Sequence, residues 1–146
     1  MSRKTRNNRF LFRLARRTEG AAAVEFAIVL SCLLLLITGI MDFGHAFFLK
    51  QIVTNASREG ARLGVVYQAP AITTAQIETR VRDYLKSANL DDPSTTTVAV
   101  DPGTGATGTP LIVTVSSTKT WWVINRFVPG LGDTVAIDAQ TRMRYE

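Results

Sequence analysis

Residues 20–41 read GAAAVEFAIVLSCLLLLITGIM, and this stretch decides the fold because it is long and apolar enough to cross a membrane. At about 1.5 Å rise per residue it makes a helix of roughly 33 Å, which exceeds the hydrocarbon thickness of a bilayer. The stretch contains no proline, and its one charged side chain is Glu25. We therefore predict a transmembrane helix over residues 21–41.

Glu25 is unusual in such a helix because an ionised carboxylate costs about 2.5–3.5 kcal/mol on membrane-insertion scales. If the chain is cut after Gly20, Ala21 gains an α-ammonium group one helical turn away. The carboxylate would then compensate that charge, or the same charge on a neighbouring subunit. Alternatively, Glu25 lies near the membrane end and extends into the headgroups without a further role. Spacing alone leaves both interpretations open.

Positive charge is concentrated before the span. The chain has 17 Lys and Arg residues, 12 Asp and Glu residues and a formal net charge of +5. Seven of the basic residues precede Gly20, against Glu19 alone, so the rest of the chain is close to neutral. The positive-inside rule places the N-terminus in the cytoplasm and the residues after Met41 outside. Nucleic acid is not an expected partner, because the basic leader lacks aromatic or glycine-rich interleaving.

Helical periodicity continues beyond the span. We predict one helix from Ala21 to Tyr67, ended by Gln68-Ala69-Pro70 because proline cannot continue the hydrogen-bond ladder. Its apolar face is expected to carry five residues: Phe48, Ile52, Ala56, Leu63 and Val66. A second helix is predicted after Thr73, which has Gln76 at capping-box spacing. Its apolar stripe consists of Ile77, Val81, Tyr84, Leu85 and Ala88.

The remainder of the chain alternates in hydropathy, which predicts three strands. They contain Val98 and Val100, then Leu111 to Val115, then Val135 to Tyr145. Residues 102–110 make a flexible hairpin loop and residues 128–133 a second turn region, because both are rich in Gly and Pro. Two helices and one antiparallel sheet predict a small α+β head in which a helix covers one sheet face.

Few residues offer catalytic or metal chemistry. His45 is the only histidine, and we expect it to be an interfacial side chain. Cys32 is the only cysteine and lies within the span, so no internal disulfide can form. Asp91 and Asp92 are expected to be solvated, with weak binding of a divalent cation as the alternative. We expect no enzyme, no cofactor and no metal site.

Trp121 and Trp122 are adjacent in an extended segment, in which successive side chains point in opposite directions. We expect one of them in the core of the head and the other at its surface. GTGATG in the 102–110 loop looks only superficially like a phosphate-binding loop. It lacks a Lys-Ser/Thr ending and a following helix, so a turn-forming linker is the preferred interpretation.

Several motifs together resemble a known family. The basic leader, Gly20 and AAAVE place Glu25 fifth after the glycine, and this arrangement is similar to the class III signal of type IV prepilins. Further on, the chain reads Asp42-Phe43-Gly44 and then SREGAR, which contains Arg58, Glu59, Gly60 and Arg62. The stretch from Gly20 to Arg62 resembles the TadE-like minor pseudopilins of tight-adherence (Flp) pilus systems.

The resemblance implies cleavage by prepilin peptidase between Gly20 and Ala21. It implies that Glu25 and Phe26 dock against other pilins and pseudopilins. It also implies an inner-membrane protein with a periplasmic head, working with a pilus assembly platform in surface adhesion. The domain organisation expected is a cytoplasmic leader (1–20), a transmembrane helix (21–41), its extramembrane continuation (42–68) and the head (69–146).

The chain also departs from the family pattern. Many such sequences carry proline where Ser31 stands and glutamate where Asp42 stands. The major pilins of these systems prefer tyrosine at the position of Phe26 and have little beyond a helix, so Phe26 and the head favour a minor pseudopilin. An uncleaved bitopic anchor whose head binds an envelope partner is the alternative. For SREGAR, the simple interpretation is a Glu59–Arg62 pair within the helix, and the other is a contact to the head or to neighbouring subunits.

Overall fold

The computed structural model describes residues 5–66 and 71–145, with side chains from Gly20 onward. The predicted helix end at 68–70 and the first four residues of the leader lie outside these residues, as do the leader's side chains. The elements in chain order are α1 (Thr5–Val65), α2 (Thr74–Ser87), β1 (Thr96–Asp101), β2 (Pro110–Thr120), a 3₁₀ turn (Ile124–Arg126) and β3 (Thr134–Arg144). The expected α+β architecture is confirmed.

Helix α1 begins earlier than predicted. The sequence places its start at Ala21, whereas the structure has helix from Thr5. Residues 5–19 contain no proline and several good helix formers, and Gly20 alone costs only about 1 kcal/mol relative to alanine, so the helix passes through it. The chain divides into two compact units, Met1–Ile40 and Met41–Glu146.

The first unit contains the apolar stretch. The helix is long and apolar enough to cross a membrane from Gly20 onward, with a mean hydropathy of 2.5 in its most apolar window. The side chains from Gly20 to Ile37 are all exposed within this unit. Exposed aliphatic side chains in such density need an apolar environment from outside the chain.

Helix α2 begins at the predicted capping box. The Thr73 hydroxyl accepts from the Gln76 amide, and the Gln76 side chain accepts from the Thr73 amide at 2.9 Å. Ile77, Val81 and Leu85 form its buried face, as the apolar stripe predicted, while Tyr84 and Ala88 are half-buried. Asn89 has a positive φ of 57° and ends the helix in a left-handed conformation.

The sheet has the order β1-β2-β3, with both pairs antiparallel. In β2, Leu111, Val113 and Val115 point to the buried face, and the intervening positions are half-buried. β3 places Ile137 and Ala139 on the same face. This alternation confirms the three predicted strands and leaves the other face rich in Thr and Ser, as is common for an antiparallel sheet with one solvated face.

The buried face of α1 differs from the predicted one. Phe48 and Val66 are exposed, and Ile52 and Leu63 are only half-buried. Ala56 is buried as predicted, and the other buried residues of this face are Leu49, Val53, Ser57, Gly60, Ala61 and Gly64. Five of these seven are small, so α1 approaches α2 and the sheet closely, and a pattern built on large apolar residues misses that face.

Two polar contacts join α1 to the edge strand β3. Ser57 Oγ lies 2.7 Å from Thr141 Oγ1. Lys50 Nζ donates to the backbone carbonyl of Asp138. Together they fix the helix against the third strand, beside the core formed by Val53 and Ala139.

Candidate functional site

The predicted processing and docking residues lie on the exposed apolar part of α1. A β-carbon added to Gly20 would meet nothing within 4 Å, so packing within the described residues does not require a glycine there. Phe26 is 66% exposed, and Ala21 and Glu25 are exposed as well. Among the described residues, none forms an ion pair with Glu25.

The hydroxyl groups of the apolar stretch are satisfied within the helix. Ser31 Oγ donates to the Ala27 carbonyl at 2.8 Å, and Thr38 Oγ1 donates to the Leu34 carbonyl at 3.0 Å. A lipid environment requires such internal bonds because no water is present to replace them. Glu25 is therefore the one strongly polar group of this segment that lacks a described partner.

The Asp42 carboxylate accepts four hydrogen bonds within the head. Its Oδ1 accepts from the Trp122 amide at 3.0 Å and from Lys119 Nζ at 3.1 Å. Its Oδ2 accepts from the Val123 amide at 3.0 Å and the Ile124 amide at 3.1 Å. We call this group, formed by Asp42, Lys119 and the amides of 122–124, the Asp42 cradle.

The cradle caps a short helix from a distant part of the chain. The 3₁₀ turn Ile124–Arg126 has no side-chain cap of its own at Val123. The first amides of any helix lack intrahelical acceptors, and a negative charge there also interacts favourably with the helix dipole. Asp42 of α1 supplies both the missing acceptors and the negative charge. The segment after β2 is therefore fixed to α1 at residue 42.

Charge compensation in the cradle is nearly complete. The side chains of Lys119 and Asp42 are 2% and 1% exposed. Burial by itself would raise the pKa of Asp42, but the three amide bonds and the Lys119 ammonium hold the pKa of this carboxyl well below its usual range. Lys119 Nζ also lies 4.5 Å from the centroid of the Trp121 ring, a cation–π distance. The Asp42 carboxyl is thus buried in its charged form.

The other residues of the first motif behave differently. Phe43 packs edge-on against Trp121 with ring centroids 5.5 Å apart, yet it remains 45% exposed. A β-carbon at Gly44 would meet nothing within 4 Å. Trp121 is 7% exposed and Trp122 is 55% exposed, which confirms the expected division between core and surface.

The second motif links the two helices of the head. Glu59 Oε1 accepts from Arg62 Nη2 at 2.9 Å within α1 and from Arg80 Nη2 of α2 at 2.7 Å. The hydrogen bonds from Arg62, and then those from Arg80, lower the pKa of Glu59 to about 2, despite an opposing effect of burial. The expected Glu59–Arg62 pair is confirmed, and the contact to the head exists alongside it.

Gly60 lies where α1 closely approaches the rest of the head. A β-carbon at this position would overlap Val81 Cγ2 and lie 3.4 Å from Val113 Cγ1. Gly64, one turn on, is similar, because its β-carbon would lie 2.6 Å from Ile77 Cδ1. Arg58, by contrast, is exposed, and no described residue forms an ion pair with it.

The remaining candidates are structural. Asp91 pairs with Arg82 at 2.9 Å and its side chain is 11% exposed, so the expectation of a solvated residue is wrong for it. The Asp92 side chain accepts from the Ser94 amide at 2.9 Å, which lowers its pKa. His45 stacks on Trp122 with centroids 4.8 Å apart. No group of three or more potential metal ligands occurs in the part of the chain that the structure describes.

Sequence reasoning identified Asp42 and Glu59 as motif residues but missed their partners Lys119 and Arg80. Asp42 and Lys119 are 77 positions apart, and no local spacing predicts that they meet. One signal was available in the sequence: Lys119 occupies an inward position of the alternating strand β2, where a lysine needs a buried counter-ion.

Residues 20–62 match a family model described as TadE-like protein. The matched region contains the exposed apolar helix, Asp42, Glu59 and Gly60. No curated protein and no solved structure matches the chain significantly. The similarity thus covers the apolar helix and the part of α1 that contacts the head.

Proposed function

We propose that this chain is a minor pseudopilin, a non-enzymatic, membrane-anchored subunit needed to assemble a tight-adherence pilus and so for surface adhesion. The observation that carries the proposal is the composition of the TadE-like region 20–62. It joins a membrane-length exposed helix to the residues that attach a folded head to that helix, namely Asp42, Glu59 and Gly60. A subunit of this design contributes packing surfaces and no chemistry.

The mechanism is partitioning followed by packing. In the inner membrane, the apolar side chains of 21–41 are covered by lipid, with the N-terminus cytoplasmic and the head periplasmic. On extraction, the same side chains are covered by the helices of other pilins and pseudopilins, which the assembly platform brings together. Transfer between two apolar surroundings costs little free energy, because neither exposes the helix to water.

Glu25 provides specificity in this mechanism. A prepilin peptidase cuts between Gly20 and Ala21, and the new α-ammonium group is neutralised by Glu25 of this chain or of a neighbour, beside Phe26. An ion buried without a counter-charge costs several kcal/mol, so a docked subunit requires the pair.

A second candidate is the uncleaved bitopic anchor, with a head that binds an envelope partner. Helix α1 runs without a break from Thr5 through Gly20 to Val65, and this observation favours it. Peptide bonds in a continuous helix resist proteolysis unless the helix opens locally. N-terminal sequencing of the membrane-purified protein separates the two candidates: the pseudopilin begins at Ala21, and the anchor retains residues 1–20.

The function itself is tested by deletion in the bacterium that encodes the chain, followed by complementation. We expect the deletion strain to lack pili in electron micrographs and to lose surface adhesion, and the wild-type gene to restore both. A variant in which residues 21–41 are replaced by an unrelated membrane helix of equal length is the matched control. It should insert and present the head, yet fail to restore pili. Normal piliation in the deletion strain would contradict the proposal.

A further inference from the structure

The membrane-proximal end of the head carries large apolar side chains that the fold leaves uncovered. Six residues are between 43% and 71% exposed: Phe43, Phe47, Phe48, Trp122, Phe127 and Val128. We call this group the aromatic rim. The neighbouring tryptophan, Trp121, is buried by the described residues of the head, so the fold buries one of the two tryptophans and leaves the other exposed.

The rim is continuous because its two segments are fixed to each other. His45 stacks between them, 4.8 Å from the Trp122 ring and 6.3 Å from the Phe48 ring, measured between centroids. Phe127 follows the 3₁₀ turn whose first amides bind Asp42. The segment 122–128 is therefore held against the first two turns of α1 within the head.

The Asp42 cradle also ties the rim to a residue that lies next to the predicted span along the chain. Asp42 follows the predicted span 21–41 directly along the chain, and the Trp122 amide lies 3.0 Å from its carboxylate. The interfacial layer on each side of a bilayer is about 5–7 Å thick, given about 30 Å of hydrocarbon and about 40–45 Å in total. At about 1.5 Å per residue, the five helical residues that follow the predicted span, 42–46, have about the length of that layer.

The chemistry of the rim fits the headgroup layer of a membrane. Tryptophan is enriched at membrane interfaces because its ring is amphipathic. Arg126 lies within segment 122–128 and is exposed. Its positive charge would be attracted to anionic lipid.

We propose that the aromatic rim is a membrane-docking surface, through which segment 122–128 inserts into the headgroup layer of the bilayer that the helix crosses. This inference rests on the membrane anchoring in the proposed function. It adds a second attachment, by which the head lies on the lipid surface. The rim is covered by the lipid interface in this proposal. The test has to distinguish this from contact of the rim with a second copy of the chain.

The test uses two single-tryptophan variants of the full chain in vesicles of phosphatidylcholine and phosphatidylglycerol. Trp121→Phe leaves Trp122 as the reporter, and Trp122→Phe leaves Trp121. We expect Trp122 emission to be blue-shifted, quenched by brominated lipid and protected from aqueous iodide. Trp121, buried in the protein, should be protected from iodide and less affected by brominated lipid.

A further variant checks the surface itself. Phe127→Ser combined with Val128→Ser, placed in the Trp121→Phe background, should reduce quenching of Trp122 by brominated lipid. Val66→Ser is the matched control, because Val66 is also exposed and apolar but lies at the far end of α1. It should leave the quenching unchanged, and the far-ultraviolet circular dichroism of all variants should match that of the parent.

Three outcomes would overturn the inference. If iodide quenches the fluorescence of Trp122 and brominated lipid does not, the rim lies in water. Protection that disappears when the protein is diluted with excess lipid would assign the rim to another copy of the chain. Protein that fails to float with the vesicles would overturn the anchor as well, whereas floating protein with an exposed Trp122 overturns this inference alone.

Discussion

Gly60 of α1 lies so close to Val81 of α2 that a β-carbon at position 60 would overlap the Val81 side chain. The two helices of the head can approach each other at this point only because the first carries no side chain there. A position that a family motif marks with glycine thus has a local physical reason, and it provides a direct test of the packing.

Gly60→Ala should destabilise the head by about 1–3 kcal/mol, the usual cost of overpacking a filled core. Gly44→Ala is the matched control, because it lies in the same helix and its β-carbon meets nothing within 4 Å. It should be neutral or stabilise by up to about 1 kcal/mol. Urea unfolding of the full chain in detergent, followed by tryptophan fluorescence, measures both. Adding Val81→Ala to Gly60→Ala should recover part of the loss, and equal effects of the two glycine substitutions would contradict the packing.

Asp42→Asn should cost about 3–5 kcal/mol, because it leaves the Lys119 ammonium buried without its counter-ion. The asparagine keeps only one acceptor oxygen, so two of the four donors around Asp42 lose their acceptor as well. Lys119→Met should cost a similar amount in the wild-type chain. In the Asp42→Asn background its cost should be smaller, which a double-mutant cycle detects.

Asp138→Asn, at an exposed position of β3, is the control for loss of an acidic residue, and it should change the unfolding free energy by less than about 0.5 kcal/mol. Additive costs in the cycle would show that Asp42 and Lys119 do not interact.

The Glu59 carboxylate should make the unfolding free energy of the head decrease at low pH. Its pKa in the folded chain is about 2, below the ordinary value of 4.5. A lowered folded pKa gives stability that is fully present above about pH 4.5 and is lost as the pH falls toward 2. Because Arg62 and Arg80 are half or more exposed, the contribution should stay below about 1 kcal/mol.

The measurement compares the wild type with Glu59→Gln between pH 2 and 7 at low salt. The difference in unfolding free energy should be constant above pH 5 and shrink in acid. Arg58→Gln is the control, since no described residue pairs with Arg58, and its effect should not change with pH in the same way. A difference that grows as the pH falls would contradict the sign of the shift.

Gly20→Ala should slow cleavage of the leader, and Gly20→Leu should block it, because the peptidase that we propose requires the smallest side chain before the cut. Neither change should affect the head, since a β-carbon at Gly20 meets nothing within 4 Å. Immunoblotting for the mass shift, with N-terminal sequencing of the product, measures processing. An intact leader on the wild-type chain would favour the uncleaved anchor.

Glu25→Gln separates docking from simple interfacial placement. The amide keeps the size of the side chain and removes the cost of a charge, so the variant should insert and be processed. We expect it to leave the new α-ammonium group unpaired in the fibre and to abolish piliation. Electron microscopy and immunoblots from one strain measure both steps, and normal pili from a processed variant would remove the docking role of Glu25.

Local signals in the sequence predicted most of the elements. Thr73 and Gln76 fix the start of α2 by bonds that need only their own spacing, and the strands follow from alternation at Leu111 and Ile137. Of the predicted face of α1, only Ala56 is buried, because the helix packs largely through small residues such as Ser57 and Gly60, which a search for large apolar residues ignores. The Asp42 cradle was missed for a different reason: Asp42 and Lys119 are 77 positions apart, and no local spacing predicts their contact.

The bond from Lys50 to the Asp138 carbonyl has a consequence for how copies of this protein can associate. β3 is an edge strand, and the free carbonyls of an edge invite another chain to extend the sheet. A lysine from α1 already occupies one of them. Another chain that extends the sheet at this edge therefore has to displace a charged side chain.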